Sequence, residues 1–309
     1  MYQTRFPRIY IEGRGERMSE GLKRKLFRRT VCILTSICLI CLLAVRDPAF
    51  SAKEPKKATV IILMYHSILK DPERQGKYVV SPSLFESDLK YLKENGYSFA
   101  GMQDLINFVY SDSPLPEKSV VITFDDGYYN NYLYAYPLLE KYDAKMLISF
   151  IGEYTDLYEN EKPNAYYSHI TWDMINEMLE SGRVEIGNHT YSMHTNGKRK
   201  GSKKISGETD EHYTRVLLED IGKLQSETYE HTGIYPAVYT YPFGAISSAS
   251  FDVLSDMGFL ATLSCAEKPC VITQGDPESL RCLGRFLRPA AMSSVNFFEN
   301  KIKAEELYR

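Results

Sequence analysis

The chain has 309 residues, 44% hydrophobic and 25% charged, with a formal net charge of −3, values that exclude a largely disordered polymer and leave room for one large core or two smaller ones. The charge is unevenly divided: residues 1–30 hold nine Lys/Arg against three Glu, so the other 279 residues carry a net −9. A basic head on an acidic body argues against a nucleic-acid partner and directs attention to what joins the two.

What joins them is an apolar run from Val31 to Val45, broken only by Thr35 and Ser36 and preceded by the basic stretch Lys23 to Arg29. It falls short of the roughly 20 residues of a full membrane span and fits a signal-peptide core or a short signal anchor, basic flank in the cytoplasm. The expected organisation is therefore a basic cytoplasmic head (1–30), a signal anchor or signal peptide (31–46), a polar linker (47–58) and a folded body (59–309). The body would be held at the cell membrane on its outer face, or secreted if the chain is cut near Ala49 and Ser51. Cys32, Cys38 and Cys41 sit in the apolar run and act as small hydrophobes. Cys265, Cys270 and Cys282 remain in the body; an odd number without a Cys-x-x-Cys pair supports neither a disulfide framework nor a zinc ribbon, and a Cys265–Cys270 bridge stays open.

Along the body, apolar β-branched runs predict strands at 59–65, 119–124, 145–150, 183–186, 238–241, 259–264 and 282–287. Between the first two, Ser83 is expected to cap a helix with Glu86 completing a capping box, and Gly96 to stop it. Further helices are predicted over 102–110, 130–142, 171–180, 209–231 and 247–257. Continuous apolar strands alternating with helices imply an α/β protein with a parallel sheet. The expected fold is a single (β/α) barrel of about seven parallel strands, distorted or incomplete, with an open doubly wound sheet as the alternative. In both, functional groups gather at the carboxyl ends of the strands.

Several polar residues fall there. The second strand ends Thr123-Phe124-Asp125-Asp126-Gly127, and two adjacent carboxylates beside a core call for a counter-charge. An Asp-Gly turn alone would be unremarkable. The fourth strand, however, runs into Asn188-His189-Thr190-Tyr191-Ser192-Met193-His194, two of only six His in the chain within one loop. Two imidazoles and a carboxylate with open positions are the composition of a catalytic metal site. The fifth strand ends Tyr241-Pro242-Phe243-Gly244, and the first ends Met64-Tyr65-His66-Ser67. Taken singly, these last two read as an ordinary turn and a core histidine.

In this order, Thr-Phe-Asp-Asp-Gly, the His-Thr loop and the Tyr-Pro-Phe-Gly turn resemble the NodB-type polysaccharide deacetylases (carbohydrate esterase family four), over roughly residues 59–290. The resemblance implies that Asp125 is the general base and that Asp126, His189 and His194 hold a divalent metal, zinc before Co2+, Ni2+ or Fe2+. It also implies that Tyr241, Pro242, Phe243 and Gly244 line the substrate groove, the Phe243 N–H helping to bind an oxyanion. Three departures stand out: the His residues are five apart rather than four, Thr240 replaces an Arg, and no His follows His231 to serve as general acid. The first and third are shared with a subgroup that includes the biofilm poly-N-acetylglucosamine deacetylases, whose motif order is permuted and whose acid lies on the first strand. His66 matches that position, and Arg285 or Arg288 is left to orient Asp125.

The expected activity is metal-dependent hydrolysis of N-acetyl groups from an N-acetylglucosamine-containing wall or extracellular polysaccharide, releasing acetate. The alternatives are an inactive carbohydrate-binding protein on the same scaffold and a metal-dependent hydrolase of non-sugar amides. Twenty-four Tyr and the single Trp172 offer stacking surfaces for sugars, and the basic run Lys198 to Lys204 either steers an anionic polymer or is a solvated loop.

Overall fold

The computed structural model describes Gly21 and residues 54–308. The apolar run 31–45, nearly all of the basic head and most of the linker lie outside the described residues, and so do the bounds drawn for them. Among the described residues no helix is long and apolar enough to cross a membrane. The chain divides into two units, Met1–Glu54 and Pro55–Arg309, and every described strand belongs to the second.

Its strands are β1 (Lys57–Tyr65), β2 (Ser67–Ile68), β3 (Val79–Val80), β4 (Ser98–Phe99), β5 (Ser119–Asp126), β6 (Met146–Phe150), β7 (Val184–Asn188), β8 (Val238–Thr240), β9 (Ala261–Leu263), β10 (Cys270–Thr273) and β11 (Phe286–Leu287). The main sheet runs β10-β1-β5-β6-β7-β8-β9, parallel throughout except for β10, which lies antiparallel to β1. β11 then pairs with β1 in parallel through Leu63–Phe286 and Met64–Leu287, while Leu283 bridges back to Leu263 on β9. The segment 283–287 thus links β9 to β1 and curls the sheet into a (β/α) barrel closed by a short, irregular piece. All seven predicted strands are present. Those predicted at 259–264 and 282–287 are cut to three and two residues, because the chain bends at each end to make this closure. The two-residue strands carry no readable periodicity, and β10 had not been anticipated.

Side-chain alternation sorts the strands into two packed faces. On β1, Ile61, Leu63 and Tyr65 face outward to helix residues such as Phe85 and Leu89. Val60 and Ile62 join Val121, Leu147, Val238 and Leu263 in the barrel interior. The helices are α1 (Pro82–Glu94), α2 (Met102–Ser111), α3 (Tyr136–Tyr142), α4 (Gly152–Tyr158), α5 (Trp172–Glu180), α6 (Asp210–Thr232), α7 (Phe251–Asp256) and α8 (Ala304–Leu307). Met102, Leu105, Ile106 and Val109 of α2 plug the interior cluster from below. The cap of α1 is Ser81 and not Ser83: its side chain accepts from the Leu84 N–H, and Pro82, whose ring presets φ and lacks the N–H, takes the first helical position. Glu86 is released from a capping role and binds Lys141 and Tyr142 instead. The helix predicted over 130–142 is a wide turn, Asn131–Ala135, followed by α3, since Pro137 cannot donate back into a regular helix.

Candidate metal centre and active site

In a regular strand Asp125 and Asp126 would point to opposite faces. Here Asp126 has φ +70° and Gly127 φ +74°, and this left-handed step turns the chain so that both carboxylates line one cleft of about 720 Å³ at the barrel's carboxyl rim. Gly127 is irreplaceable on two counts. A Cβ there would lie 2.6 Å from the Phe150 Cβ, in a conformation other residues resist.

His189 follows β7 and is almost wholly buried. Its Nδ1 lies 2.8 Å from the Thr240 carbonyl oxygen, so Nδ1–H donates there and Nε2 keeps its lone pair for the cleft. His194 arrives from the following loop, which Asp220 of α6 pins by accepting from the Tyr191 and Ser192 N–H groups at 2.8 and 2.9 Å. The His194 ring lies against Phe243, with centroids 4.3 Å apart. The two Nε2 atoms stand 3.5 Å (His189) and 3.3 Å (His194) from Asp126 Oδ1, a buried oxygen without a hydrogen-bond partner. Asp126, His189 and His194 offer ligand atoms within 4.8 Å of one another. An orphaned carboxylate oxygen facing two imidazole nitrogens fits a divalent cation in both charge and donor type. Burial by itself would raise the Asp126 carboxyl, but His189, with His66 and His194, outweighs it and holds the group well below the usual carboxylate range.

Asp125 has another partner. Arg285, at 0% exposure, donates from Nη1 to Oδ1 at 2.6 Å and from Nη2 to Oδ2 at 2.8 Å, a two-pronged charged contact. The guanidinium is fixed in turn by the Ser264 carbonyl (2.9 Å) and the Thr123 hydroxyl (3.1 Å). Space for it exists because the interior layer below the rim is small and polar, with Thr123 beside the Ser149–Thr240 hydroxyl pair at 2.7 Å and Gly187, whose absent Cβ would crowd Ser149. Burial would raise the Asp125 carboxyl; the charge of Arg285 and its two hydrogen bonds overcome this and lower it. Of the two arginines left by the sequence, Arg285 is thus the one in contact with Asp125. Arg288 points the other way and pairs with Asp88 at 2.8 Å.

His66 lines the same cleft. It follows Tyr65, whose neighbour across the sheet is Phe124, so His66 and Asp125 leave adjacent strands side by side. Burial lowers its imidazole, opposed by Asp125 and Asp126, and its Nδ1 is a buried atom without a partner. Of the Tyr-Pro-Phe-Gly turn, only Phe243 reaches the cleft. The expectation for Tyr241 is corrected: it is fully buried and its hydroxyl meets Ser250 at 2.7 Å, because the residue just after β8 points into the core formed with Tyr213 and Tyr239. Pro242 and Gly244 shape the turn without touching the cleft, Gly244 packing on Cys265. Trp172 is no sugar platform either; it is 3% exposed and stacked on His231. Cys265, Cys270 and Cys282 are all free thiols, so Cys265 and Cys270 are unbridged. Asp220, Ser149 and Tyr128, which lines the cleft beside Asp126, were not anticipated; each lies in a pattern that reads as an ordinary helix surface, strand or turn.

A barrel rim that brings an Asp pair and a His pair together in this arrangement is that of a NodB-type hydrolase with a candidate metal site. A family profile described as polysaccharide deacetylase matches residues 112–262, and the Bacillus subtilis (strain 168) protein YxkH, named for the same family, is 32% identical over 216 residues, 64% of this chain and 71% of that one. The chain belongs to the polysaccharide deacetylase family. A poly-beta-1,6-N-acetyl-D-glucosamine N-deacetylase of Staphylococcus aureus (strain MRSA252) is 24% identical over 298 residues, covering 90% of this chain and 96% of that protein. The Escherichia coli (strain K12) enzyme of that name is 22% identical, and the chain spans only 33% of its length. Among solved structures, IcaB from Ammonifex degensii has a TM-score of 0.65 at 25% identity, covering 82% of this chain and 98% of that one. The Streptococcus pyogenes deacetylase PplD, in complex with acetate, also reaches 0.65, at 21% identity and 79% and 98% coverage, and shares the fold. Both His66 and Arg285 lie outside the stretch that the family profile matches.

Proposed function

We propose that the chain hydrolyses N-acetyl groups from an N-acetylglucosamine-containing polysaccharide, using a divalent cation held by Asp126, His189 and His194. The single observation that carries this reading is the orphaned Asp126 Oδ1 facing two imidazole nitrogens, with an arginine-clamped carboxylate beside it. A cation held there would polarise an amide carbonyl and ease deprotonation of water. Zinc suits two imidazoles and one carboxylate. Asp125, ionised at neutral pH, takes the proton of the attacking water, while Arg285 keeps the carboxylate aimed. The Phe243 N–H serves the oxygen on which negative charge builds. His66 protonates the departing nitrogen, because an amide anion is too poor a leaving group. Acetate and an amino sugar result. With an acid at His66 and a clamp at Arg285, the set is complete without the residues that the sequence lacks, which favours an enzyme over an inert binding protein.

The test uses acetate release from N-acetylglucosamine oligomers together with metal analysis. Asp126→Ala is expected to lose both metal and activity, whereas Asp125→Asn keeps the metal and loses about 10³-fold in turnover or more. Metal-loaded wild-type protein that frees no acetate from any N-acetylated glycan would overturn the reading. We infer also that the body works outside the cytoplasmic membrane, from the basic flank and apolar run at 23–45. The full chain should then sediment with membranes, and deletion of 31–46 should abolish export; equal export without that segment would contradict it.

A further inference from the structure

The cleft is less acidic than the chain around it, with three lysines set against three carboxylates in its lining. Residues 31–309 carry a net −9, yet beyond the catalytic Asp pair the charged side chains lining the cleft are Lys77, Lys200, Lys301 and a single carboxylate, Glu267. Lys301 is neutralised by Glu267 at 2.7 Å and also donates to the Leu287 carbonyl oxygen. Lys77 and Lys200 face the cleft with no carboxylate partner among the described residues. What holds them is aromatic: the Lys77 ammonium lies 5.0 Å from the Tyr78 ring centroid and that of Lys200 lies 6.0 Å from Phe243. Tyr78 packs on His66 and Phe243 on His194, so each ammonium sits one ring away from the reacting groups.

Both lysines are exposed to solvent, but the backbone that carries each of them is fixed at the rim. In the basic stretch 198–204, Arg199 turns away to Glu208 and Lys204 to Asp210, and neither of them lines the cleft. Lys200 alone is delivered there, by an antiparallel bridge to Asn196 and by Gly201, which is buried against Pro242 so closely that a Cβ would stand 2.8 Å from the Pro242 carbonyl oxygen. Lys77 sits in the turn joining β2 and β3, tied down where the Gly76 carbonyl oxygen accepts from the Ala290 N–H at 2.8 Å. Two anchored, unpaired cations at a rim that already holds a metal site would repel a polymer whose amines have been freed. They would draw in one bearing negative charge.

We propose that the glycan taken by this cleft carries an anionic group, a carboxylate or a phosphate, on or next to the sugar that loses its acetyl group, and that Lys77 and Lys200 bind it. The inference rests on the deacetylase reading and narrows its substrate to acidic N-acetylated glycans as against neutral ones.

The experiment compares three oligomers of equal length: neutral N-acetylglucosamine, the same backbone with lactyl carboxylates on alternate sugars, and the same backbone with 6-phosphates. Metal-loaded full-length protein should show kcat/KM at least about tenfold higher on one charged oligomer than on the neutral one at low salt, with the advantage fading at high salt. Which charged oligomer wins identifies the source of the anion. The Lys77→Gln/Lys200→Gln double variant should bring the charged-to-neutral ratio close to one, mainly through KM. Lys198→Gln/Lys203→Gln, an equal charge change in the same loop but off the cleft, should leave the ratio where it was. A wild-type ratio of one or less, or an equal fall in both double variants, overturns the proposal. Equilibrium binding of the three oligomers to Asp125→Asn separates the two readings. A charged-oligomer preference in binding with no acetate from wild type sinks the deacetylase alone, and acetate without any preference sinks only the anion site.

Discussion

At the scale of single residues, the arrangement turns on how one buried carboxylate is kept charged. Asp125 is 2% exposed, and its ionised form is tolerable there because Arg285 meets both oxygens. Lysine would retain the charge but could not supply two parallel bonds. Arg285→Lys is therefore expected to lower kcat/KM by about 100-fold with metal content unchanged, as acetate release and metal analysis would report. Full activity in that variant would remove Arg285 from the positioning role. The sequence made Asp125, Asp126, His189 and His194 legible because each pair lies in a contiguous motif at a strand end. It could not choose between Arg285 and Arg288, three residues apart on either side of β11. The choice depends on which face each side chain takes, and that is settled by packing: Arg285 turns into the barrel, while Arg288 turns out to Asp88 and Tyr65. Asp220 was hidden for a related reason, since a charged residue on a long amphipathic helix looks like solvated surface until the loop it pins is in place.

At the scale of elements, β7 leads into His189 at its upper end and carries Glu185 on the same inward row at its foot, where α2 closes the barrel. Burial pushes the Glu185 carboxyl up to about 7, against the hydrogen bonds it accepts from the Gln103 N–H. Gly101, the cap of α2, leaves room for it: a Cβ there would fall 2.0 Å from Glu185 Oε1. Because the folded value is raised, the folded state prefers the neutral acid. The stability this contributes is fully present below the ordinary value of 4.5 and is lost as pH rises through about 7. Glu185→Gln keeps the shape and stays neutral. It should match wild type near pH 4.5 and exceed it at pH 8 by on the order of 3 kcal/mol, read as the melting temperature across that range. Parallel pH profiles for the two proteins would show that Glu185 does not titrate as described. None of this was legible beforehand, for the apolar pattern that located β7 says nothing about what covers its foot. α4 escaped notice for want of pattern: Gly152–Tyr158 buries only Gly152 and Thr155, so it presents no apolar stripe.

At the scale of the whole molecule, the barrel is closed by the segment after β10, and that segment also completes the site. The consequence is that stability and chemistry share a stretch of chain, 283–288, which bridges to β9 at Leu283, delivers Arg285 to Asp125, pairs with β1 through Phe286 and Leu287, and ends in Arg288. Parallel alternation was enough to foretell a barrel. It was not enough to foretell this closure, because two-residue pairings are fixed by side chains far apart in sequence. Asp88 of α1 shows how firmly the stave is held: it accepts from Arg288 at 2.8 and 3.0 Å and from the Tyr65 hydroxyl at 2.9 Å, with Asp88 fully buried and the other two almost so. Removing one partner strands the other charge in the core, a loss of about 3–5 kcal/mol. For a body of this size that corresponds to a fall of about 10 °C in melting temperature. Asp88→Ala is therefore expected to lower the single thermal transition by about that amount. In the Asp88→Ala/Arg288→Met double variant, where no charge is left unpaired, the fall should be clearly smaller than the sum of the two single losses. Additive losses would mean that the pair acts as two independent packing groups, and the barrel's closure would then have to rest on its backbone pairing alone.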